Sequence, residues 1–204
     1  MYTPDLYKNE NQKEISTFLK ENSFGILINQ TNGKLCATHI PMELGINADG
    51  KEILEGHISK LNPQADGFAE NDQVLAVFTG PHSYISSSWY DHENVPTWNY
   101  IAVHVYGRIK IVDYDTSVEQ LKKLVDKYEA NSENPVRVEN LSSKTMREAR
   151  GIFGFEIEID EIQATKKLSQ NRDDHNYKNI ISELEKTENP QAIAVAKEMS
   201  KCRK

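Results

Sequence analysis

Turn signals near the start of the chain constrain its fold more than any other feature. Asn32-Gly33 is the type of pair that a tight two-residue hairpin favours. It separates residues 24–29 from residues 34–41, and both runs have the apolar and β-branched composition of strands. A second turn signal then precedes a third predicted strand at residues 51–58. The chain therefore opens with antiparallel strands, because a two-residue turn cannot connect parallel ones.

The rest of the chain predicts more strands with helices between them. We expect further strands at residues 73–79, 97–112 and 151–159, and helices at residues 10–22, 63–70 and 117–130. Six strands without a regular strand-helix-strand repeat indicate an α+β fold, mainly β, in which an antiparallel barrel is flanked by helices. We predict that residues 1–172 form this domain and that residues 173–204 form a helical extension packed on it.

The composition restricts partners and compartment. The chain carries 24 basic and 31 acidic residues, a net charge of −7, and no dense basic patch, which argues against direct binding to nucleic acid. Cys36 and Cys202 have no metal-ligand spacing and are expected to be free thiols in a reducing compartment. No signal segment or membrane-length apolar run is present, so we expect a cytoplasmic protein without a membrane partner.

The segment GPHSYISSSWYDHENVPTWNY, residues 80–100, is the densest in groups that stack or form hydrogen bonds, and it holds both tryptophans of the chain. The three consecutive hydroxyls of residues 86–88 do not suit a core strand, because each buried hydroxyl needs a partner. They suit a site for a polar, planar ligand. A solvated surface loop with two aromatic anchors is the alternative reading.

The sequence of residues 80–100 resembles the PaiB family of FMN-binding negative transcriptional regulators. Three further segments share this resemblance: ATHIP at residues 37–41, GHISKLNPQ at 56–64 and KLSQNR at 167–172. The resemblance runs from the MYTPDLY start to KLSQNR and fades after about residue 181. It implies a split β-barrel of the pyridoxamine-phosphate-oxidase type, an FMN site at a homodimer interface, and a regulatory role of undefined molecular mechanism.

The FMN phosphate needs cations and hydrogen-bond donors, which Ser59 and Lys60 offer before the helix start at Asn62-Pro63. A solvated turn is the alternative for this pair, and the resemblance of GHISKLNPQ to the family's phosphate-binding block favours the ligand. Thr38 and His39 lie on the strand that the resemblance places under the flavin ring. The alternative for His39 is a histidine buried in the core.

The aromatic wall and the ring-edge partners are expected from the dense segment. We predict that Trp98 faces the ligand and that Trp89 is structural, since tryptophan is more often a core residue. The candidate contacts beside Trp98 are Tyr84, Ser86, Thr97 and Asn99. In KLSQNR, Gln170 and Arg172 form a donor cluster suited to a phosphate or carboxylate. A helix start capped by Ser169 or Asn171 competes with that interpretation.

The functional hypotheses belong to two classes. The first is an FMN-holding, dimeric regulator of the PaiB type that acts indirectly, because no DNA-reading helix pair is evident. The second is a flavin-dependent oxidoreductase, since the barrel that the resemblance implies also houses pyridoxamine-phosphate oxidases, flavin reductases and haem-degrading relatives. No metal site or catalytic residue is predicted, because the histidines lack ligand spacing and no hydrolase, P-loop or dinucleotide motif occurs.

Overall fold

The computed structural model describes residues 1–68 and 72–203. The described residues form six strands, which are β1 (Phe24–Thr31), β2 (Lys34–Ile46), β3 (Glu52–Ser59), β4 (Asp72–Ile85), β5 (Thr97–Ile111) and β6 (Ile152–Lys167). They also form the helices α1 (Gln12–Glu21), α2 (Tyr114–Glu129), α3 (Ser143–Met146), α4 (Asp174–Glu185) and α5 (Pro190–Cys202). This antiparallel sheet with flanking helices confirms the predicted α+β class.

The strands are joined in the order β1-β2-β3-β6-β5-β4, and β4 also pairs with β1, so the sheet closes into a ring. The predicted hairpin is present, with Thr31 opposite Lys34 in the register of β1 and β2. Asn32 and Gly33 have φ angles of 51° and 75°, the left-handed pair that a type I′ turn requires. Short-range turn chemistry therefore sets the register of the first two strands.

Four strands, β1, β2, β4 and β6, are longer than the sequence pattern predicted. β4 continues to Ile85 and takes in the first part of the dense polar segment, beyond the end of the predicted strand at residue 79. In this extension Ser83 and Ile85 are buried while His82 and Tyr84 are exposed. The polar residues of the outer face concealed the strand pattern.

β5 runs unbroken through Gly107. A Cβ atom at this position would lie 2.3 Å from the carbonyl oxygen of Glu158 on β6. The glycine is needed because the neighbouring backbone approaches closely.

The chain divides into two compact units. The first unit contains Met1–Phe18, Thr79–His104 and Gln163–Lys204, and the second contains Leu19–Phe78 and Val105–Ile162. The boundaries fall inside α1, β4, β5 and β6, and α4 and α5 belong to the first unit. The predicted domain division at residue 172 stays a prediction.

Each unit has its own buried apolar residues. In the first unit α4 and α5 pack together around Ile180, Leu184 and Val195, all with no exposed surface. In the second unit the fully buried side chains include Leu27, Met42 and Phe155. No helix among the described residues is long and apolar enough to cross a membrane.

Candidate functional site

The candidate phosphate site lies at the carboxyl end of β3, in the second unit. Ser59 and Lys60 are both exposed. The Ser59 Oγ accepts the backbone N–H of Leu61 at 3.2 Å, which leaves its own O–H free to donate. The Lys60 ammonium lies 5.1 Å from the Phe153 ring centroid and makes no hydrogen bond or ion pair within residues 1–68 and 72–203. A hydroxyl and a cation are thus both available to an anion.

The backbone around this pair differs from the prediction. The expected helix at residues 63–70 is a 3₁₀ helix over Pro63–Gly67, and its predicted end at residues 69–70 lies outside the described residues. The Asn62 side chain caps this helix by accepting the N–H of Gln64 at 3.0 Å. Because the cap uses that amide, a phosphate here relies on the Ser59 and Lys60 side chains.

The hydroxyl of Thr38 is already engaged in the fold. It donates to Oε1 of Gln64 and accepts the side-chain N–H of Asn62 at 2.9 Å. Thr38 therefore ties β2 to the 3₁₀ helix, and its predicted contact with a flavin stays a prediction.

Gln64 is the centre of a buried polar network that the sequence analysis missed. Its side chain is 2% exposed and donates to the carbonyl oxygen of Leu27 at 2.9 Å. The backbone carbonyl oxygen of Gln64 accepts hydrogen bonds from the side chains of Asn29 and Thr31, each at 3.4 Å. The available signal was the alternation of β1, which places Asn29 and Thr31 on the same buried face as Leu27.

His39 lies on the exposed face of β2. Its ring stacks on that of Phe24, with centroids 6.3 Å apart and an angle of 29° between the planes. The alternative reading of His39 as a core histidine is wrong. The exposed ring is available to a ligand or partner.

The first unit presents a half-exposed aromatic cluster made of His82, Tyr84 and Trp98. The Trp98 ring lies 5.7 Å from the His82 ring and 6.2 Å from the Tyr84 ring, centroid to centroid. Trp98 is 52% exposed and Tyr84 46% exposed, whereas Trp89 packs against the core of the unit. The structural assignment of Trp89 is therefore confirmed, and the contact of Trp98 and Tyr84 with a ligand stays a prediction.

Other residues of the dense segment serve the fold. Ser86 caps the 3₁₀ helix Ser87–Trp89 by accepting the N–H of Ser88 at 3.2 Å. The Thr97 hydroxyl accepts a hydrogen bond from the ammonium of Lys167. Burial lowers the pKa of that ammonium, and the nearby positive charge of Arg172 lowers it further.

Asn99 has no exposed surface. Its Oδ1 accepts the hydroxyl of Ser169 at 3.0 Å, and its Nδ2 lies 3.4 Å from the sulfur of Met199. The predicted contact of Asn99 with a ring edge stays a prediction. The Asn99 amide satisfies polar groups inside the first unit.

The KLSQNR cluster is also largely structural. The Gln170 side chain accepts the N–H of Leu168 at 2.7 Å and donates to the carbonyl oxygen of Lys166. The Arg172 guanidinium lies 5.0 Å from the Tyr90 ring centroid. To bind a ligand, the Gln170 side chain would have to break two local hydrogen bonds. The N–H groups of the Arg172 guanidinium remain able to donate to a ligand.

The helix that follows begins at neither Ser169 nor Asn171, so that alternative is wrong as well. Asp173 is the cap of α4, and its carboxylate accepts the N–H of Asn176 at 3.0 Å. Hydrogen bonds from the backbone and side chain of Asn176 lower the pKa of the Asp173 carboxyl to about 2.

Comparisons with known proteins agree with this picture. Residues 1–161 match the family model described as "Putative FMN-binding domain". The chain is 46% identical over 201 residues to the Bacillus subtilis protein named "Protease synthase and sporulation protein PAI 2", covering 98% of this chain and 96% of that protein.

Two solved structures are similar in fold. The FAD and heme binding protein from Mycobacterium smegmatis matches with a TM-score of 0.61 at 15% identity, covering 79% of this chain and 73% of that one. The flavocytochrome Anf3 from Azotobacter vinelandii matches with a TM-score of 0.62 at 16% identity, covering 84% and 75%. At this identity the likeness shows the fold, and the predicted split β-barrel of the flavin-binding type is confirmed.

Proposed function

Because the chain belongs to the FMN-binding family and is a PaiB-type protein, we propose that it is a dimeric regulator that lowers the expression of target genes indirectly. FMN is its cofactor, as the sequence predicted. When bound, FMN supplies a ring that accepts electrons.

The observation that carries the proposal is the exposed pair Ser59 and Lys60. An ammonium without a hydrogen bond or ion pair among the described residues, beside a hydroxyl free to donate, fits a phosphate of nearly two negative charges. Lysine is a common phosphate ligand because it offers a compact positive charge. We propose that these two side chains hold the FMN phosphate.

The aromatic cluster of His82, Tyr84 and Trp98 supports the dimer. Side chains of this kind are enriched at protein interfaces, where they bury a large apolar area and keep a polar end. Trp98 and Tyr84 leave about half of their surface exposed. We propose that a second copy of the chain covers this cluster.

An indirect mechanism is supported by charge. With a net charge of −7 the protein repels a nucleic-acid backbone. Free thiols at Cys36 and Cys202 are consistent with a reducing cytoplasm. Regulation would then pass through another protein or through the state of the flavin.

Native mass spectrometry of the purified protein tests the cofactor and the dimer in one measurement. We expect a complex of two chains of 23.3 kDa with bound FMN. Anaerobic addition of NADH or NADPH then separates the two functional classes. A colour that persists supports the regulator, and rapid bleaching with recovery in oxygen supports the oxidoreductase.

A gene-deletion experiment tests regulation. Transcripts under negative control should rise in a strain that lacks the gene and fall again when the wild-type gene returns. A gene carrying Lys60→Ala should fail to lower these transcripts again. A gene carrying Lys178→Ala, which removes an exposed lysine of α4, should lower them as the wild-type gene does. No change of transcript level in the deletion strain would reject the regulatory role.

A further inference from the structure

A second candidate site lies on the turn between β6 and α4, in the first unit. Lys167 is the last residue of β6, and Arg172 directly precedes Asp173, the cap of α4. Between them Ser169 has a φ angle of 60°, in the left-handed region that serine rarely adopts, and its carbonyl oxygen accepts the N–H of Arg172 at 3.0 Å. The chain therefore reverses here and carries a basic residue at each end of one tight turn.

Hydrogen bonds hold this turn from several sides. Ser169 is 3% exposed, and its hydroxyl donates to Oδ1 of Asn99 at 3.0 Å. The guanidinium of Arg203, which follows α5, donates to the carbonyl oxygen of Gln170 at 2.8 Å and to that of Arg172. Both basic side chains therefore extend from a backbone that is fixed before a ligand binds, which reduces the entropy lost on binding.

The charges of Lys167 and Arg172 are not neutralised by the described residues. The Lys167 ammonium donates to the hydroxyl oxygen of Thr97 and lies 5.9 Å from the Tyr7 ring centroid. The Arg172 guanidinium lies 5.0 Å from the Tyr90 ring centroid. Within residues 1–68 and 72–203 neither side chain forms an ion pair, and the guanidinium makes no hydrogen bond. Both side chains are half-buried, so water screens their charges only in part.

The carboxylates that follow Arg172 in the chain are engaged elsewhere. Asp173 accepts the backbone N–H of Asn176 at 3.0 Å and its side-chain N–H at 2.7 Å. Asp174 pairs with Arg203 at 2.8 Å. The protein thus supplies acidic residues directly after Arg172 and uses them for other bonds, which leaves the two cations to an external partner.

The two cations also act on each other. Burial lowers the pKa of the Lys167 ammonium, and the positive charge of Arg172 lowers it further. A negative charge between the two side chains would favour the charged form of both. This turn therefore has the electrostatics of an anion site.

We propose that Lys167 and Arg172 bind the carboxylate of a small organic acid. The planar fork of a guanidinium matches the two oxygens of a carboxylate, and the ammonium adds a compact charge. The Thr97 hydroxyl accepts from Lys167, and among the described residues its own O–H has no acceptor, so it can donate to a carboxylate oxygen. The acid is a second ligand besides FMN, and this assignment does not depend on Ser59 and Lys60 holding the flavin phosphate.

A phosphate group fits this turn less well than a carboxylate. Phosphates often bind the backbone N–H groups at the start of a helix. At the start of α4 the Asp173 carboxylate already accepts the N–H of Asn176, and the hydrogen bonds from Asn176 lower the pKa of this carboxyl to about 2. The ionised Asp173 beside Arg172 therefore repels a group with nearly two negative charges more than a group with one.

Thermal unfolding with defined probes tests this proposal. Acetate and benzoate are the carboxylate probes, benzamide is the neutral isostere of benzoate, and inorganic phosphate is the competing anion, all at one ionic strength set with sodium chloride. We expect both carboxylates to raise the unfolding temperature of wild-type protein saturably in the millimolar range, phosphate to raise it less, and benzamide to have no effect. No shift with either carboxylate, or an equal shift with benzamide or phosphate, would overturn the proposal.

Lys167→Met and Arg172→Met each remove one charge and keep an unbranched side chain. We expect each to weaken benzoate binding at least tenfold in calorimetry, because a hydrogen bond between charged groups is lost. Arg172→Lys keeps the charge without the fork and should lose part of the affinity, which provides a second test if Arg172→Met folds poorly. Lys178→Met removes a charge from an exposed position of α4 and should bind benzoate as wild type does. Wild-type affinity in Lys167→Met or in Arg172→Met would refute the paired site.

Flavin titrations separate this site from the flavin site. Lys167→Met and Arg172→Met should bind FMN and riboflavin with wild-type affinity. A loss of FMN affinity with unchanged riboflavin affinity would show that the pair holds the flavin phosphate and would overturn the proposal. Lys60→Ala should bind benzoate as wild type does, so a failure of the Lys60 assignment leaves the carboxylate test intact.

Discussion

Lys60→Ala is the sharpest test of the flavin site, because the structure separates its effect on binding from its effect on folding. The side chain is exposed, and its ammonium lies 5.1 Å from the centroid of the Phe153 ring. An exposed cation-π contact contributes about 0.5–1 kcal/mol. The free energy of unfolding should therefore fall by no more than about 1 kcal/mol.

The expected effect on FMN is larger. A hydrogen bond to a charged group contributes about 1.5–3 kcal/mol. Its loss should weaken FMN binding roughly ten- to a hundredfold. Lys60→Arg keeps a positive charge and should retain most of the affinity.

Riboflavin lacks the phosphate and is the matched ligand for this test. Flavin binding is followed by fluorescence titration, and chemical denaturation of each variant gives its free energy of unfolding. Lys60→Ala should lower the affinity for FMN and leave that for riboflavin unchanged. Lys178→Ala makes the same change of charge on an exposed face of α4 and should alter neither affinity.

Salt adds a further check, since added ions screen exposed charges. FMN binding by wild type should weaken as ionic strength rises, and Lys60→Ala should lose most of this dependence. Wild-type FMN affinity in Lys60→Ala, or an equal loss for riboflavin, would show that Lys60 does not hold the phosphate. Arg172 would then be the next phosphate candidate to test.

Three further predictions address the dimer, the cap of α4 and nucleic acid. Trp98→Ala should shift the light-scattering mass at micromolar concentration from two chains toward one chain of 23.3 kDa, and a wild-type monomer would exclude the proposed interface. Asp173 has a pKa lowered to about 2 in the folded protein against an ordinary value of 3.8, so its stabilisation is present above pH 4 and lost as the pH falls through 2. Unfolding temperatures measured from pH 6 to pH 2 should show this loss of stability in wild type and not in Asp173→Asn, which keeps a neutral cap. If the unfolding temperatures of the two proteins fall in parallel with pH, Asp173 does not contribute this stabilisation. Random duplex DNA should bind no tighter than about 10⁻⁴ M at physiological salt in fluorescence anisotropy, and sub-micromolar binding with a clear salt slope would show direct contact.

The sequence predicted those parts of the fold that depend on neighbouring residues. The hairpin at Asn32-Gly33 is present because two left-handed residues suffice to make the turn. The helices predicted for residues 173–204 are present as α4 and α5, and Asn189 caps α5. The extension of β4 was missed because its exposed face is polar.

The candidate site was predictable only in part. The sequence predicted that Lys60 and Trp98 are accessible to a ligand, and the structure has Lys60 exposed and Trp98 half-exposed. Asn99 has the same polar character, yet it is buried. Residue type alone does not distinguish an amide that serves a ligand from one that satisfies the core.

By itself the sequence determined the class of fold, the family and the cofactor, because strand alternation, turn residues and motif sequences are properties of short segments. The tertiary structure alone decided which polar groups are enclosed. Gln64 bonds to Leu27 across 37 positions of the chain, and Asn99 contacts Met199 across 100. Burial and hydrogen-bond satisfaction are set by residues distant in the chain, and no local pattern records them.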